Sequence, residues 1–293
     1  MKTKKPLITV YMPVFNAAKF LDESIQSILN QTFSDFEFII IDDASTDNSW
    51  KIIKSYAKSD KRIIAIKNHI NLGVSLTSNI AISYARGKFL ARMDADDISV
   101  SNRFEKQINF FKKHSQVVAL GGQCFVIDEN NQNIGNKNFP TNFKKLSKMI
   151  FWAVPIQQPS MMVNLKLLPK KFVWYSPNKT SAEEIDLMFR FMLYGQINNL
   201  PDYLLYYRHL NTSLSHQNPK KTFNLTIKSR LGAVKMGFKP TLPAILLNIC
   251  QIVVISILPN SVINQIWSFV RGINKTPTSK LQYNSLNETV IKA

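Results

Sequence analysis

The sequence predicts an α/β protein whose central sheet is mostly parallel and flanked by helices. Three observations predict it. Runs of β-branched and aromatic residues alternate with amphipathic stretches at the spacing of βαβ units. Several of those runs are apolar without alternation, as strands buried on both faces must be. Polar, acid-rich segments follow the strands directly, and open α/β sheets carry their ligands at the carboxyl ends of strands.

The elements follow in order. "LITVYMPVFN" (7–16) reads as a buried first strand. In "AAKFLDESIQSILNQ", Leu21, Ile25, Ile28 and Leu29 recur at helical spacing. "FEFIIIDD" (36–43) is a second strand, and "STDNSWKIIKSYAK" opens with cap-type residues and continues as an amphipathic helix. "RIIAIKN" (62–68), "VSLTSNIAISYA", "GKFLARMD", "NRFEKQINFFKKH" and "VVALGGQCFVID" (117–128) read as strand, helix, strand, helix and strand. "FNAA", "DDASTD" and "DADD" each stand just after a strand, so all three fall on one edge of the sheet.

Beyond residue 130 the pattern loosens. "QQPSMMVN" (157–164) reads as a turn into a short strand, and "SAEEIDLMFRFMLYGQ" as a helix with acids in its first turn, where the macrodipole favours them. "INNLPDYLLYYRHLNTSLS" reads as a loop, a strand and a polar tail. "LPAILLNICQIVVISILP" (242–259) is short for a membrane span and bounded by Pro243 and Pro259. With the following "NSVINQIWSFVRGINK" it reads equally as an interfacial membrane helix or as a buried helical hairpin.

The chain has 293 residues with a formal net charge of +18. From Pro219 onward there are ten basic residues against one acid, Glu288. Such a region suits an anionic membrane or phosphorylated ligands. With no helix-turn-helix, zinc-finger or RNP-type motif, nucleic acid is the weakest partner class. Cys124 and Cys250 lie in apolar contexts without metal or redox spacing, and read as buried small hydrophobes of a protein in a reducing cytosol. The N-terminus lacks the apolar run and cleavage site of a signal peptide. The organisation expected is two halves of one domain, 1–130 and 131–218, then a basic, apolar helical region, 219–293.

"DADD" puts Asp94, Asp96 and Asp97 within four positions. Hard oxygen ligands in a short loop suit Mg²⁺ or Mn²⁺, and helix capping is the plain alternative. An EF-hand fails, because Ile98 and Ser99 stand where an oxygen ligand and Gly are needed. In "IIIDDASTDNS" a carboxylate ends a strand and can accept from a base or ribose, while Asp47 caps the next helix. Neither a dinucleotide fingerprint nor a P-loop is present.

Taken together, "VYMPVFNAAKFLDESIQSILNQTFSDFEFIIIDDASTDNS" and "NLGVSLTSNIAISYARGKFLARMDADD" resemble the nucleotide-sugar-binding half of family 2 glycosyltransferases of GT-A fold. The second half resembles the acceptor side more loosely, through "QQPSMMV", "SAEEIDLMFR" and "LPDYLLYYRHLNTSLS". The resemblance implies a Rossmann-like GT-A domain of the bacterial surface-polysaccharide type. It implies inverting transfer from a UDP-sugar to a saccharide or lipid-linked saccharide, with Mn²⁺ or Mg²⁺, at the inner face of the cell membrane. Pro13, Phe15 and Asn16 would line the base and ribose, and Asp43 would receive the pyrimidine N–H. Asp96 would hold the metal, with Asp94 or Asp97 touching ribose or metal, and Glu184 would be the general base with Glu183 its rival.

The chain departs from the family pattern at Glu184, where Asp is usual, at Gln158, where His is common, and at Ser78, where Arg is frequent. Lys88, Arg92, Arg103 and Arg208 are the candidates to replace that lost phosphate contact, and Arg208 is counted among the donor-binding residues. A sugar nucleotidyltransferase and a catalytically inactive membrane-associated scaffold are the competing functions.

Overall fold

The computed structural model describes residues 5–176, 183–210 and 218–270. Strands β1 (Ile8–Val14), β2 (Phe36–Asp42), β3 (Ile63–Lys67) and β4 (Phe89–Arg92) run parallel, with β1 between β2 and β4. Helices α1 (Leu21–Leu29), α2 (Ser49–Ser59) and α3 (Gly73–Ser83) connect them. The short β5 (Ile98–Ser99), α4 (Arg103–Lys113), β6 (Val117–Ile127), β7 (Asn133–Lys137), α5 (Phe143–Met149), β8 (Met162–Asn164), α6 (Glu183–Phe191) and β9 (Gln196–Arg208) follow. One sheet runs in the order β3-β2-β1-β4-β8-β6-β9-β5, with β7 paired to β6. β8 is antiparallel to both its neighbours, and β9 is parallel to β6.

The expected architecture is borne out, because the apolar strand runs have helices on both faces. On one face Ile25, Ile53, Phe104 and Ile108 pack onto Val10, Met12 and Phe38. On the other, Ala81, Ile185 and Phe189 pack with Tyr11, Ile39 and Ile41. Gly87 lets β4 enter beside β1, since a Cβ there would stand 2.5 Å from the Thr9 nitrogen.

β9 begins earlier than its sequence suggests. Pro201 and the asparagines read as loop, yet Ile197 and Leu200 are buried and pair this stretch with β6. Gly121 pairs Asn199 and Gln123 pairs Tyr203, so the register shift takes up Pro201 and Asp202 as a bulge.

At the C-terminal end of the described chain stand α7 (Pro219–Lys235), α8 (Leu242–Ile257) and α9 (Asn260–Val270). α8 is not a buried hairpin helix: Leu242, Leu246, Ile249 and Ile257 are exposed. Cys250 is exposed with it, contrary to expectation, because an apolar neighbourhood in sequence buries a thiol only if the element faces inward; Cys124, on β6, is buried. No described helix is long and apolar enough to cross a membrane.

Candidate active site

The carboxyl ends of β1, β2 and β4 bring together three loops. Asn16 turns the chain out of β1 at φ 49, and Ala44 turns it out of β2 at φ 59. Asn tolerates that region, whereas Ala pays on the order of 1–2 kcal/mol, so the neighbouring fold holds it there. The two loops are laced together: the Asn16 amide donates to Ser45 Oγ at 3.0 Å, and the Thr46 amide to Asn16 Oδ1 at 2.8 Å. Asp47, one position before the N-cap Asn48, accepts from the amide of Ser49, the first residue of α2, at 2.9 Å. Phe15 is 51% exposed on this edge, and Pro13, two positions before it, is half-buried.

Asp43 is buried and ties β2 to the start of α3. Its Oδ1 accepts from Asn68 Nδ2 (2.7 Å) and the Leu72 amide (2.9 Å), and its Oδ2 from the Gly73 amide (2.8 Å). A carboxylate offers about four lone-pair directions, so these bonds leave one for a ligand N–H. An anion at a helix N-terminus is favourable in its own right.

The three acids after β4 have three different environments. Asp94 Oδ1 accepts from Arg92 Nε at 2.7 Å. Arg92 is buried, lies over the Tyr11 ring and donates from Nη1 to Ser78 Oγ at 3.0 Å. Burial works against its charge, but Asp94 and then the Tyr11 and Tyr175 phenols more than offset this and hold the guanidinium protonated. Asp97 lies beneath the loop, fully buried: its Oδ1 accepts from the Arg208 amide at 2.8 Å and its Oδ2 has no partner. Burial first, then Asp96 and Asp94, push its carboxyl well above the usual carboxylate range. Asp96 stays partly accessible, and burial with the Asp94 charge pushes it up to about 6. Beyond its own backbone N–H, its carboxylate has no hydrogen-bond partner among the described residues.

The basic candidates separate cleanly. Arg92 is at the site. Lys88 stands before β4, at the opposite end of the sheet. Arg103 is fully buried, donates to the Arg92 and Met161 carbonyls, and burial lowers its pKa to about 10. Arg208 is also buried rather than turned toward a ligand. Its Nε donates to the Asp96 carbonyl (2.7 Å), Nη1 to the Asp128 carbonyl (2.9 Å) and Asn131 Oδ1 (2.5 Å), and Nη2 to Glu23 Oε2 (3.0 Å). It braces the acidic loop from behind.

Glu183 and Glu184 open α6, Glu183 buried and Glu184 partly so; Ser181 and Ala182 lie outside the described residues. A buried chain of polar groups joins this region to the acidic loop. The Tyr11 and Tyr175 hydroxyls are 2.7 Å apart, Gln158 Nε2 donates to the Tyr175 hydroxyl (3.1 Å), and Asn79 clasps the Tyr175 backbone with two hydrogen bonds. Burial, then Tyr11, push the Tyr175 phenol up, and Glu183 is close enough to add to the shift.

Comparison with known proteins decides the family. The model of Glycosyl transferase family 2 matches residues 9–169. An uncharacterised glycosyltransferase of Methanocaldococcus jannaschii is 38% identical over 209 residues, 70% of this chain and 71% of its own. This chain belongs to glycosyltransferase family 2. WfgD of Escherichia coli, a UDP-Glc:alpha-D-GlcNAc-diphosphoundecaprenol beta-1,3-glucosyltransferase, is 35% identical over 130 residues, 44% of this chain and 49% of its own. Among solved structures, the mannosyltransferase PcManGT of Pyrobaculum calidifontis, in complex with GDP-Man and Mn²⁺, superposes with a TM-score of 0.59 at 14% identity, covering 92% of this chain and 85% of its own. S. aureus TarS 1-349 with UDP-GlcNAc gives 0.58 at 20% identity, covering 76% of this chain and 66% of its own. The chain spans 38% of the longer TarS chain. The fold is GT-A.

Family 2 membership makes the metal question concrete. Among the described residues, no group of three or more His, Cys, Asp or Glu side chains forms a ready metal cage. The donor set nevertheless fits Mg²⁺ or Mn²⁺, ions that take one or two carboxylates and complete their shell with phosphates and water. Asp96, whose carboxylate is engaged only by its own backbone N–H, and the second oxygen of Asp94 are the groups that would hold one. Tyr11, Tyr175, Glu23 and Asn131 were not singled out from sequence. Nothing in the chain's periodicity marks partners so far apart.

Proposed function

We propose that this family 2 transferase moves a sugar, with inversion, from a UDP-sugar to a saccharide or lipid-linked saccharide in surface-polysaccharide assembly, at the inner face of the cell membrane. Phe15, Pro13 and Asn16 line the base and ribose, and Asp43 offers its remaining lone pair to the pyrimidine N–H. Residues 1–130 form the donor half and 131–218 the acceptor half. The observation that carries the reading is Asp96: one accessible carboxylate without a side-chain partner, on the same sheet edge as Phe15 and Asp43. A bound Mn²⁺ or Mg²⁺ supplies charge that stabilises a departing diphosphate. Glu184, or Glu183 beside it, takes the acceptor hydroxyl proton. The UDP and lipid-linked choices are supported by the substrates in the name of WfgD.

The test is donor turnover with and without Mn²⁺. Metal-dependent release of nucleoside diphosphate, lost in Asp96→Ala, supports the reading. Pyrophosphate release instead identifies a nucleotidyltransferase, and no turnover with any donor identifies a scaffold. Full transfer by Glu184→Gln moves the base to Glu183.

A further inference from the structure

α8 is built inside out. Its Ala244, Asn248, Gln251 and Ile255, spaced four, three and four apart, form the stripe that is not exposed. Asn248 carries the attachment: its Nδ2 donates to the Phe151 carbonyl at 2.7 Å, and its Oδ1 accepts from Arg230 Nη1 of α7 at 2.7 Å. Arg230 is itself buried, with Nε donating to the Ile150 carbonyl at 3.3 Å. Asn248 and Gln251 therefore face the protein, beside Ala244 and Ile255, while most of the large apolar side chains face away. Leu246, Ile249 and Val253 are 51–55% exposed, and Leu242 and Ile257 more so. A helix in water arranges itself the other way round.

We propose that the outward face of α8 rests in the headgroup–acyl boundary of an anionic bilayer, with the Arg230–Asn248 latch fixing it to the acceptor half. Lipid fits better than a second copy of the chain. A helix–helix seam covers one stripe, whereas α8 is apolar and exposed on every side but its latch stripe. Charge points the same way: residues 218–270 contain six basic residues and no acid, and of the six only Arg230 is buried. At 16 residues α8 is about 24 Å long, which suits lying on a bilayer rather than crossing it. The proposal goes beyond the transfer reaction, and its test needs no turnover, so its failure leaves the transferase reading standing.

The test is co-flotation of the full chain with phosphatidylglycerol/phosphatidylcholine vesicles. The wild type floats with them. Leu246→Ser with Ile249→Ser and Val253→Ser lowers the partition coefficient about a hundredfold, with the thermal midpoint unchanged. Lys235→Glu with Lys239→Glu, both exposed, lowers it about tenfold or more at low salt. A wild type that stays unbound, or a triple variant that floats like wild type, overturns the proposal. Equal partition onto purely neutral vesicles overturns the role of anionic lipid. A lipid-free dimer that the triple variant converts to monomer, with no vesicle binding by either, assigns the face to a second copy instead.

Discussion

Asp43→Asn separates the structural role of this carboxylate from its ligand role. In the wild type three N–H donors converge on it, from Asn68, Leu72 and Gly73. Asn keeps one acceptor oxygen, enough for Asn68 and Leu72, but those bonds lose charge assistance, about 0.5–1 kcal/mol each. Its NH₂ then faces the Gly73 amide, leaving that donor unpaired at a cost of about 1–3 kcal/mol. Loss of the anion from the α3 N-terminus adds about 0.5 kcal/mol. The sum is about 4 kcal/mol, read by urea unfolding at neutral pH. Asp43→Ala orphans all three donors and costs more. The Asn68→Ala background supplies the control: part of the Asp43→Asn cost disappears there, because the two residues share a bond. Asp43→Asn within about 0.5 kcal/mol of wild type would refute the reasoning, since exposed substitutions fall in that range. Nucleotide binding measured on the folded variant then reports the ligand role alone.

Four further outcomes are expected. Mn²⁺ affinity in the presence of UDP, followed by calorimetry, weakens about tenfold between pH 7.5 and pH 5, because Asp96 titrates near 6 and only its ionised form ligates; a flat profile removes Asp96 from the metal site. The metal-free protein is stabilised by acid: Asp96 and Asp97 hold protons more tightly folded than unfolded, so their contribution is full below about pH 4; that of Asp96 is lost as pH rises through about 6, and that of Asp97 as pH rises through its own raised pKa. Thermal melts of wild type against Asp96→Asn with Asp97→Asn isolate that slope. Arg208→Lys destabilises by about 3 kcal/mol or more, because an ammonium cannot span Asp96, Asp128, Asn131 and Glu23 together; a wild-type melting temperature would make the brace dispensable. Asn248→Ala leaves Arg230 Nη1 and the Phe151 carbonyl without their partner and speeds hydrogen exchange in α8 by about tenfold or more, whereas unchanged exchange would show that packing alone holds the helix.

Much of the donor side was legible because it is encoded locally. Ile39, Ile40 and Ile41 announce a strand buried on both faces, and the acids that follow it and β4 need only a parallel sheet to be brought to one edge. Contacts between distant segments were not legible. Tyr11 and Tyr175 meet across 164 positions, and Arg208 reaches the Asp96 carbonyl across 112; a bond to a backbone carbonyl leaves no side-chain partner to notice. The same blindness placed Arg208 among donor contacts. In α8 the apolar composition was plain. Which face turns outward depends on the Asn248–Arg230 contact, and Cys250 was misjudged with it.

The acidic loop shows why distance in sequence is a poor guide to role. Three carboxylates in four positions cannot all remain charged and unpaired beside one another, and the protein resolves the repulsion three ways. Arg92 neutralises Asp94 by direct contact. Asp97 is carried out of water, where burial and its two neighbours favour the protonated form. Asp96 lies between the two: it is partly buried, burial and the Asp94 charge push its carboxyl up to about 6, and its cations, the same Arg208 and Arg92, act only at longer range. A group left in that condition gains most from a cation that arrives from outside, since binding removes both the proton and the repulsion from Asp94. Replacing Asp97 with Asn should therefore leave metal affinity within about threefold of wild type or tighten it, and Asp94→Asn should weaken it less than Asp96→Asn. If Asp97→Asn instead abolished metal binding while the protein stayed folded, the division of labour drawn from these environments would be wrong.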